Sequence, residues 1–227
     1  MKVAILFSGG KDSCQAVKWC IDNNHEIVSL ITVVPKNTEA YLWHYATVEW
    51  TIFSAEALGI PLVLLKCDKI GPKEEAKELE KVLERIEVDA LVLGGVGLQK
   101  TQISAIREVA KKFKVKVIIP YQNYSSEQLI EEEINSGLDI RITSVASDGL
   151  GPEWLGRRLD RKAFEDLRNL SKKFGFDILG EGGYYDTFVT DAPMFKKRIE
   201  FLDTEKIWDE KTSSGYLEVK RAELLDK

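Results

Sequence analysis

The sequence predicts an α/β fold, an open parallel sheet with helices on both faces, followed by a smaller α+β C-terminal region. Two observations carry this. Short runs rich in Val, Ile and Leu alternate with helix-period patterns through the first half. A glycine-rich turn also joins the first such run to the first helical pattern, and the alternation stops near Pro120.

Strands are expected at residues 3–7, 27–34, 61–65, 90–93 and 115–119. Between them, residues 12–22 read as the first helix and 40–58 as the second, which ends at Gly59 with Pro61 soon after. Pro72 opens a third, whose Leu79, Val82, Leu83 and Ile86 mark one buried face. A fourth carries Ile103, Ile106, Val109, Ala110 and Phe113 inward. Beyond Pro120 a helix at 126–136 and a strand at 140–145 precede turn residues at 147–152. A helix at about 161–174 and strands at 197–202 and 215–219 complete the chain. Two regions packed on each other are expected, residues 1–122 and 123–227.

Composition narrows the function classes. The chain has 227 residues, 44% hydrophobic and 30% charged, and no apolar run near the length of a membrane span. Its N-terminus enters a strand without a cleavage-type segment, so a cytoplasmic location is expected. Three cysteines with no CxxC pair, and only His25 and His44, leave zinc and dithiol chemistry without a basis. A net charge of −5 disfavours nucleic acid as a partner. The basic runs at 111–114 and 196–198 read as solvated faces. A second copy of the chain, forming a homodimer, remains a candidate partner.

Ser8-Gly9-Gly10-Lys11-Asp12-Ser13 sits where the first strand hands over to the first helix. Glycines let the backbone approach an anion, and a helix N-terminus aims N–H groups and partial positive charge at it. Ser8 and Ser13 add hydroxyl donors and Lys11 a full charge. The spacing is not that of a Walker A loop, which places Ser or Thr directly after the lysine. Asp12 has two readings, as a Mg²⁺ ligand or as a hydrogen-bonding brace for the loop. Gly94, Gly95 and Gly97 follow the fourth strand and are expected at the same crevice, either leaving room for a nucleotide or making a plain turn.

The second informative stretch runs from Gly180 to Pro193. It is read as a loop in which Gly182 and Gly183 permit a tight backbone, so that Glu181, Asp186 and Asp191 converge on a metal, an ammonium ion or an acceptor amine. The competing reading is that these residues cap turns. Tyr41, Trp43, Tyr45 and Trp50 read as packing, and Trp154 as an anchor for the helix start. Arg157 and Arg158 are candidate partners for an anion.

The hexapeptide resembles the S-G-G-x-D/S-S signature of the PP-loop ATP pyrophosphatase superfamily, which implies a Rossmann-like fold and cleavage of ATP to AMP and pyrophosphate. The later stretch is similar to the E-G-G-E-F/Y-E-T-F-V-x-D-x-P-x-F signature of the diphthine–ammonia ligase family. Residues 55–61, Gly149-Leu150 with 153–157, and 212–215 agree with that family in place and order. The resemblance implies ATP, Mg²⁺ and ammonium as ligands and elongation factor 2 carrying diphthine as the protein substrate. It implies that Ser8, Gly9, Gly10, Lys11, Asp12, Ser13, Gly94 and Gly95 hold the nucleotide. Lys11, Glu181, Asp186 and Asp191 would act in catalysis, Glu181 as the base for ammonia. Gly182, Gly183, Thr187, Trp154 and Arg157 would then line the acceptor side.

Departures from that pattern cluster on the acceptor side. Tyr184 stands in place of a glutamate and Asp186 in place of another. Residues 121–125 replace a WGRD-like run, Thr101-Gln102-Ile103 replaces YQR, and the polar pattern after His44 becomes Tyr45-Ala46-Thr47-Val48. A paralogue adenylating another carboxylate, a tRNA-modifying PP-loop enzyme and an ATP sensor are the alternatives.

Overall fold

The computed structural model describes residues 1–35, 47–68, 71–94 and 100–227. Its first half is a five-stranded parallel sheet in the order β3-β2-β1-β4-β5. The strands are β1 (Lys2–Leu6), β2 (Glu26–Pro35), β3 (Leu62–Cys67), β4 (Ala90–Leu93) and β5 (Lys116–Ile118). Helices α1 (Lys11–Asp22), α2 (Thr51–Leu58), α3 (Pro72–Lys77), α4 (Glu80–Leu83) and α5 (Lys100–Lys112) connect them. Side-chain alternation along β1 sorts the two layers. Val3, Ile5 and Phe7 pack with Cys14, Ala16 and Val17 of α1 and with α2. Ala4 packs on the other face with Leu79, Val82, Ile106 and Val109 from α3 through α5.

The second half contains α6 (Ser126–Asn135), α7 (Arg161–Phe174) and a four-stranded antiparallel sheet ordered β7-β6-β9-β8. Its strands are β6 (Asp139–Val145), β7 (Tyr185–Asp191), β8 (Lys197–Asp209) and β9 (Ser214–Asp226). Leu129, Ile130, Ile140, Phe164 and Phe188 join the same apolar cluster as Val3 and Ile5, so one core runs unbroken across both halves.

Local chemistry explains the element ends. Gly59 and Gly175 take left-handed conformations that close α2 and α7. Ser125 and Gln128 form a reciprocal capping box at α6, and Asp160 caps α7 by accepting from the Ala163 N–H at 2.8 Å.

Several expectations need correction. The single third helix is two, because N–H groups of Glu78, Leu79, Lys81 and Val82 each bond three residues back and tighten the chain between α3 and α4. Of the helix expected at 40–58, the described part is a 3₁₀ turn at Val48–Trp50 followed by α2. Its residues 40–46, with Tyr41, Trp43, His44 and Tyr45, lie outside the described residues. The last two strands run more than twice as far as expected, because two 13-residue strands pair as a hairpin along their whole length. Residues 185–191 form strand β7, not a loop; Phe188 and Val189 there are fully buried.

Candidate functional site

Strand order reverses at β1, whose neighbours β2 and β4 lead in opposite directions. The crevice beyond the carboxyl ends of β1 and β4 is where open α/β sheets bind ligands. Ser8, Gly9 and Gly10 lie at that point, between β1 and α1. Gly9 has φ 80°, and a methyl group there would meet the Phe188 ring, so both backbone and packing require glycine. The Ser13 hydroxyl donates to the Gly10 carbonyl at 2.9 Å, and the Ser8 N–H donates to Ser13 Oγ at 3.4 Å. Gly94 is packed against the backbone of Asp12, so any side chain there would collide with the start of α1. Gly95 and Gly97 lie outside the described residues.

The antiparallel sheet completes this loop. β7 is its edge strand, and the Val189 N–H donates to the Gly9 carbonyl at 2.9 Å. Thr187 Oγ1 accepts from the Lys11 N–H at 3.2 Å. That hydroxyl takes the place of a local cap, since Gly10 offers α1 no side chain. The two glycine-containing segments, 170 residues or more apart in sequence, thus meet strand to loop.

Beneath the loop lies a buried charge cluster. The Lys11 ammonium, 3% exposed, sits 2.7 Å from Asp12 Oδ2 and 3.6 Å from Glu133 Oε2. Glu133 projects from α6 and its side chain is fully buried. Burial opposes the charge on Lys11, yet Asp12, Glu133 and Tyr185 together outweigh it and hold the amine above its ordinary value. Burial, then the Asp12 charge, pushes the Glu133 carboxyl well up. Cys14, whose Sγ lies 3.7 Å from the Gly9 carbonyl, is held as a thiol by burial and the same two carboxylates. Tyr185, donating to the Ile178 carbonyl at 2.7 Å, is likewise raised by burial.

The three acidic residues of the second stretch are spread out. Glu181 lies in the turn before β7, where Gly180, Gly182 and Gly183 all take left-handed φ values. Asp186 accepts from the Ser144 hydroxyl of β6 at 2.6 Å. Asp191 ends β7 in an ion pair with Lys227 at 2.5 Å. Five residues of strand put roughly 17 Å between Asp186 and Asp191. Trp154 is buried in a 3₁₀ turn, with the Arg157 guanidinium 4.1 Å over its ring; Arg157 also pairs with Asp166. Where the family pattern is altered, Tyr121 is packed beneath α1, its phenol pushed up to about 12 by burial, and Ser125 is the cap of α6. Gln102 is buried in the first turn of α5.

Glu133 escaped the sequence reading, although a signal existed. In the α6 sequence it falls four residues after Leu129 and three after Ile130, so it is a carboxylate on the apolar face.

The fold and its loop define a doubly wound α/β protein of the kind that takes a phosphorylated ligand at the switch point. Comparison with known proteins narrows this. The family model described as diphthamide synthase N-terminal domain matches residues 1–117, and that of the diphthamide synthase C-terminal domain matches 125–225. The chain belongs to the diphthamide synthase family, and it is a ligase-type enzyme. A human protein named diphthine–ammonia ligase is 32% identical, covering 91% of this chain and 85% of its own length. The mouse protein of that name is 31% identical over 100% of this chain and 94% of its own. The Schizosaccharomyces pombe protein is 30% identical over 97% of this chain but 39% of its own, longer, sequence. A solved structure titled as a predicted subunit of tRNA methyltransferase from Methanocaldococcus jannaschii covers 85% of this chain and 98% of its own. At 16% identity and a TM-score of 0.44 it is too distant to argue from.

Proposed function

We propose that this enzyme adenylates the carboxylate of diphthine on elongation factor 2 and transfers ammonia to it, cleaving ATP to AMP and pyrophosphate. The observation that carries the reading is the clamp of β7 on the glycine loop, through Thr187 and Val189. It sets the turn bearing Glu181 in continuity with a phosphate-type cradle. In this reading residues 1–122 hold ATP, residues 123–227 receive the acceptor, and the protein works in the cytoplasm beside its translation-factor substrate.

Ser8, Gly9, Gly10 and Ser13, with Gly94 packed against the start of α1, hold the β and γ phosphates through backbone N–H and hydroxyl groups; Gly95, outside the described residues, is assigned to the same role. Lys11 supplies its charge from beneath the loop. Asp12 fits Mg²⁺ brought in on the nucleotide: Oδ1 is buried with no hydrogen bond among the described residues, and Mg²⁺ is commonly held by one or two carboxylates plus phosphates. Bound there, the ion would offset phosphate charge as pyrophosphate leaves.

The acceptor oxygen attacks the α-phosphorus and pyrophosphate departs. Neutral ammonia then attacks the acyl carbon, AMP leaves, and one ammonia proton passes to Glu181 as base. Gly182 and Gly183 let the acceptor backbone approach, Asp186 beside Ser144 orients ammonium, and Arg157, held over the buried Trp154 ring, forms the outer wall. Asp191, tied to Lys227, acts as a brace at the far end of β7.

Pyrophosphate release from ATP, Mg²⁺ and ammonium, with and without diphthine-bearing elongation factor 2, tests this. Turnover that requires the modified factor and yields AMP supports it; turnover that requires tRNA, or yields ADP, overturns it. Glu181→Gln is expected to keep ATP binding and lose amide formation.

A further inference from the structure

At the free edge of the parallel sheet the surface changes sign. β5 is the last strand in the order and pairs with β4. Beside it, the end of α5 leaves an open groove of about 630 Å³. Val115, Val117 and Ile118 form its half-buried floor, and exposed Arg107, Lys111, Lys114 and Lys116 form its rim. On a chain of net charge −5, four cations converge here. None of them has an ion-pair partner among the described residues, whereas neighbouring Lys112 is tied to Glu80 at 2.7 Å. Lys114 stands at φ 60°, a left-handed conformation that glycine would adopt without strain.

The groove also leads to the site. Ile118 pairs with Val92, one residue before the end of β4, so the top of the groove reaches the carboxyl ends of the strands. β5 lies two strands from β1, roughly 10 Å at the usual strand spacing.

We propose that this groove docks an extended acidic segment of the protein acceptor, added as a further strand at the β5 edge with its carboxylates on the four cations. It rests on the reading above in taking a protein as acceptor. A free strand edge offers main-chain hydrogen bonds, and an apolar floor takes alternate side chains, which together select an extended peptide. A single-stranded nucleic acid would call for aromatic stacking surfaces, and none lines the groove, while the apolar floor of Val115, Val117 and Ile118 offers nothing to a duplex backbone. The lysines that keep a basic edge from pairing with its own copies are the same charges that admit an acidic strand.

The probe is a fluorescein-labelled peptide of alternating glutamate and valine, titrated into the full chain by anisotropy. Lys114→Glu with Lys116→Glu is expected to weaken binding by at least ~10-fold and to raise the KM for elongation factor 2 similarly. Its melting temperature and ATP affinity should stay as in the unaltered protein. Equal peptide binding by both proteins overturns the proposal, as does a short RNA that binds the unaltered protein more tightly than the peptide and is lost in the variant. Failure of the unaltered protein to bind ATP would strike the functional reading alone, since the peptide titration needs no nucleotide.

Discussion

Replacing Lys11 by methionine leaves two carboxylates under the loop without their cation. Glu133 Oε2 is 3.6 Å from the ammonium and its side chain has no exposure. With both groups ionised, their attraction is about 4 to 5 kcal/mol at an effective dielectric constant near 20. Removing one partner of such a buried pair costs about 3 to 5 kcal/mol where Glu133 is ionised, since its charge is then uncompensated; at lower pH Glu133 takes up a proton and the loss shrinks. At about 2 to 4 °C per kcal/mol for a chain of this size, the midpoint falls roughly 6 to 20 °C. Adding Glu133→Leu to Lys11→Met removes the stranded charge, so the double variant should recover most of the loss.

The pH dependence has a definite sign. Burial raises the Glu133 carboxyl above the ordinary 4.5, so between that value and its folded value the native state holds the extra proton. Stability therefore falls as pH rises through that window, by at most about 1.4 kcal/mol per pH unit. Lys11 pulls the Glu133 value down, so in Lys11→Met the window reaches to higher pH, and the decline should vanish once Glu133 is leucine. Urea unfolding of the four proteins across a pH series measures both effects. Strictly additive losses, or a single variant with a flat pH profile, would refute the coupling.

Gly9→Ala forces a side chain into a left-handed residue and against Phe188; about 1 to 2 kcal/mol of stability and at least ~10-fold in ATP affinity should be lost, read by calorimetry. Thr187→Val removes the acceptor for the Lys11 N–H and should cost about 1 kcal/mol or more in urea unfolding, with Thr187→Ser close to the unaltered protein. Cys14, Cys20 and Cys67 are all buried, and burial pushes the Cys20 thiol up to about 12. Ellman's reagent should find no fast-reacting thiol until denaturant is added; one that reacts at once in the folded protein would contradict this burial.

Much of this molecule is legible in the chain itself. Strand runs at 3–7 and 90–93, Pro72 opening a helix and Gly59 closing one all follow from local periodicity and backbone preference, which act within a few residues. The glycine loop was readable because a strand, a turn and a helix N-terminus adjoin in sequence. Strand β7 was not, because the glycines before it signal a turn, whereas its strand state comes from pairing with β6 and burial of Phe188.

Nor could spacing reveal that Thr187 caps α1, that Asp186 and Asp191 stand apart, or that Lys11 points down at Glu133. The sequence by itself determined the parallel-sheet strands, most of the helices and the place of the glycine loop between β1 and α1, because those depend on neighbours along the chain. Only the tertiary structure decided which charges share a low-dielectric interior, because that depends on how α6 and β7 pack against β1 and α1 across one core.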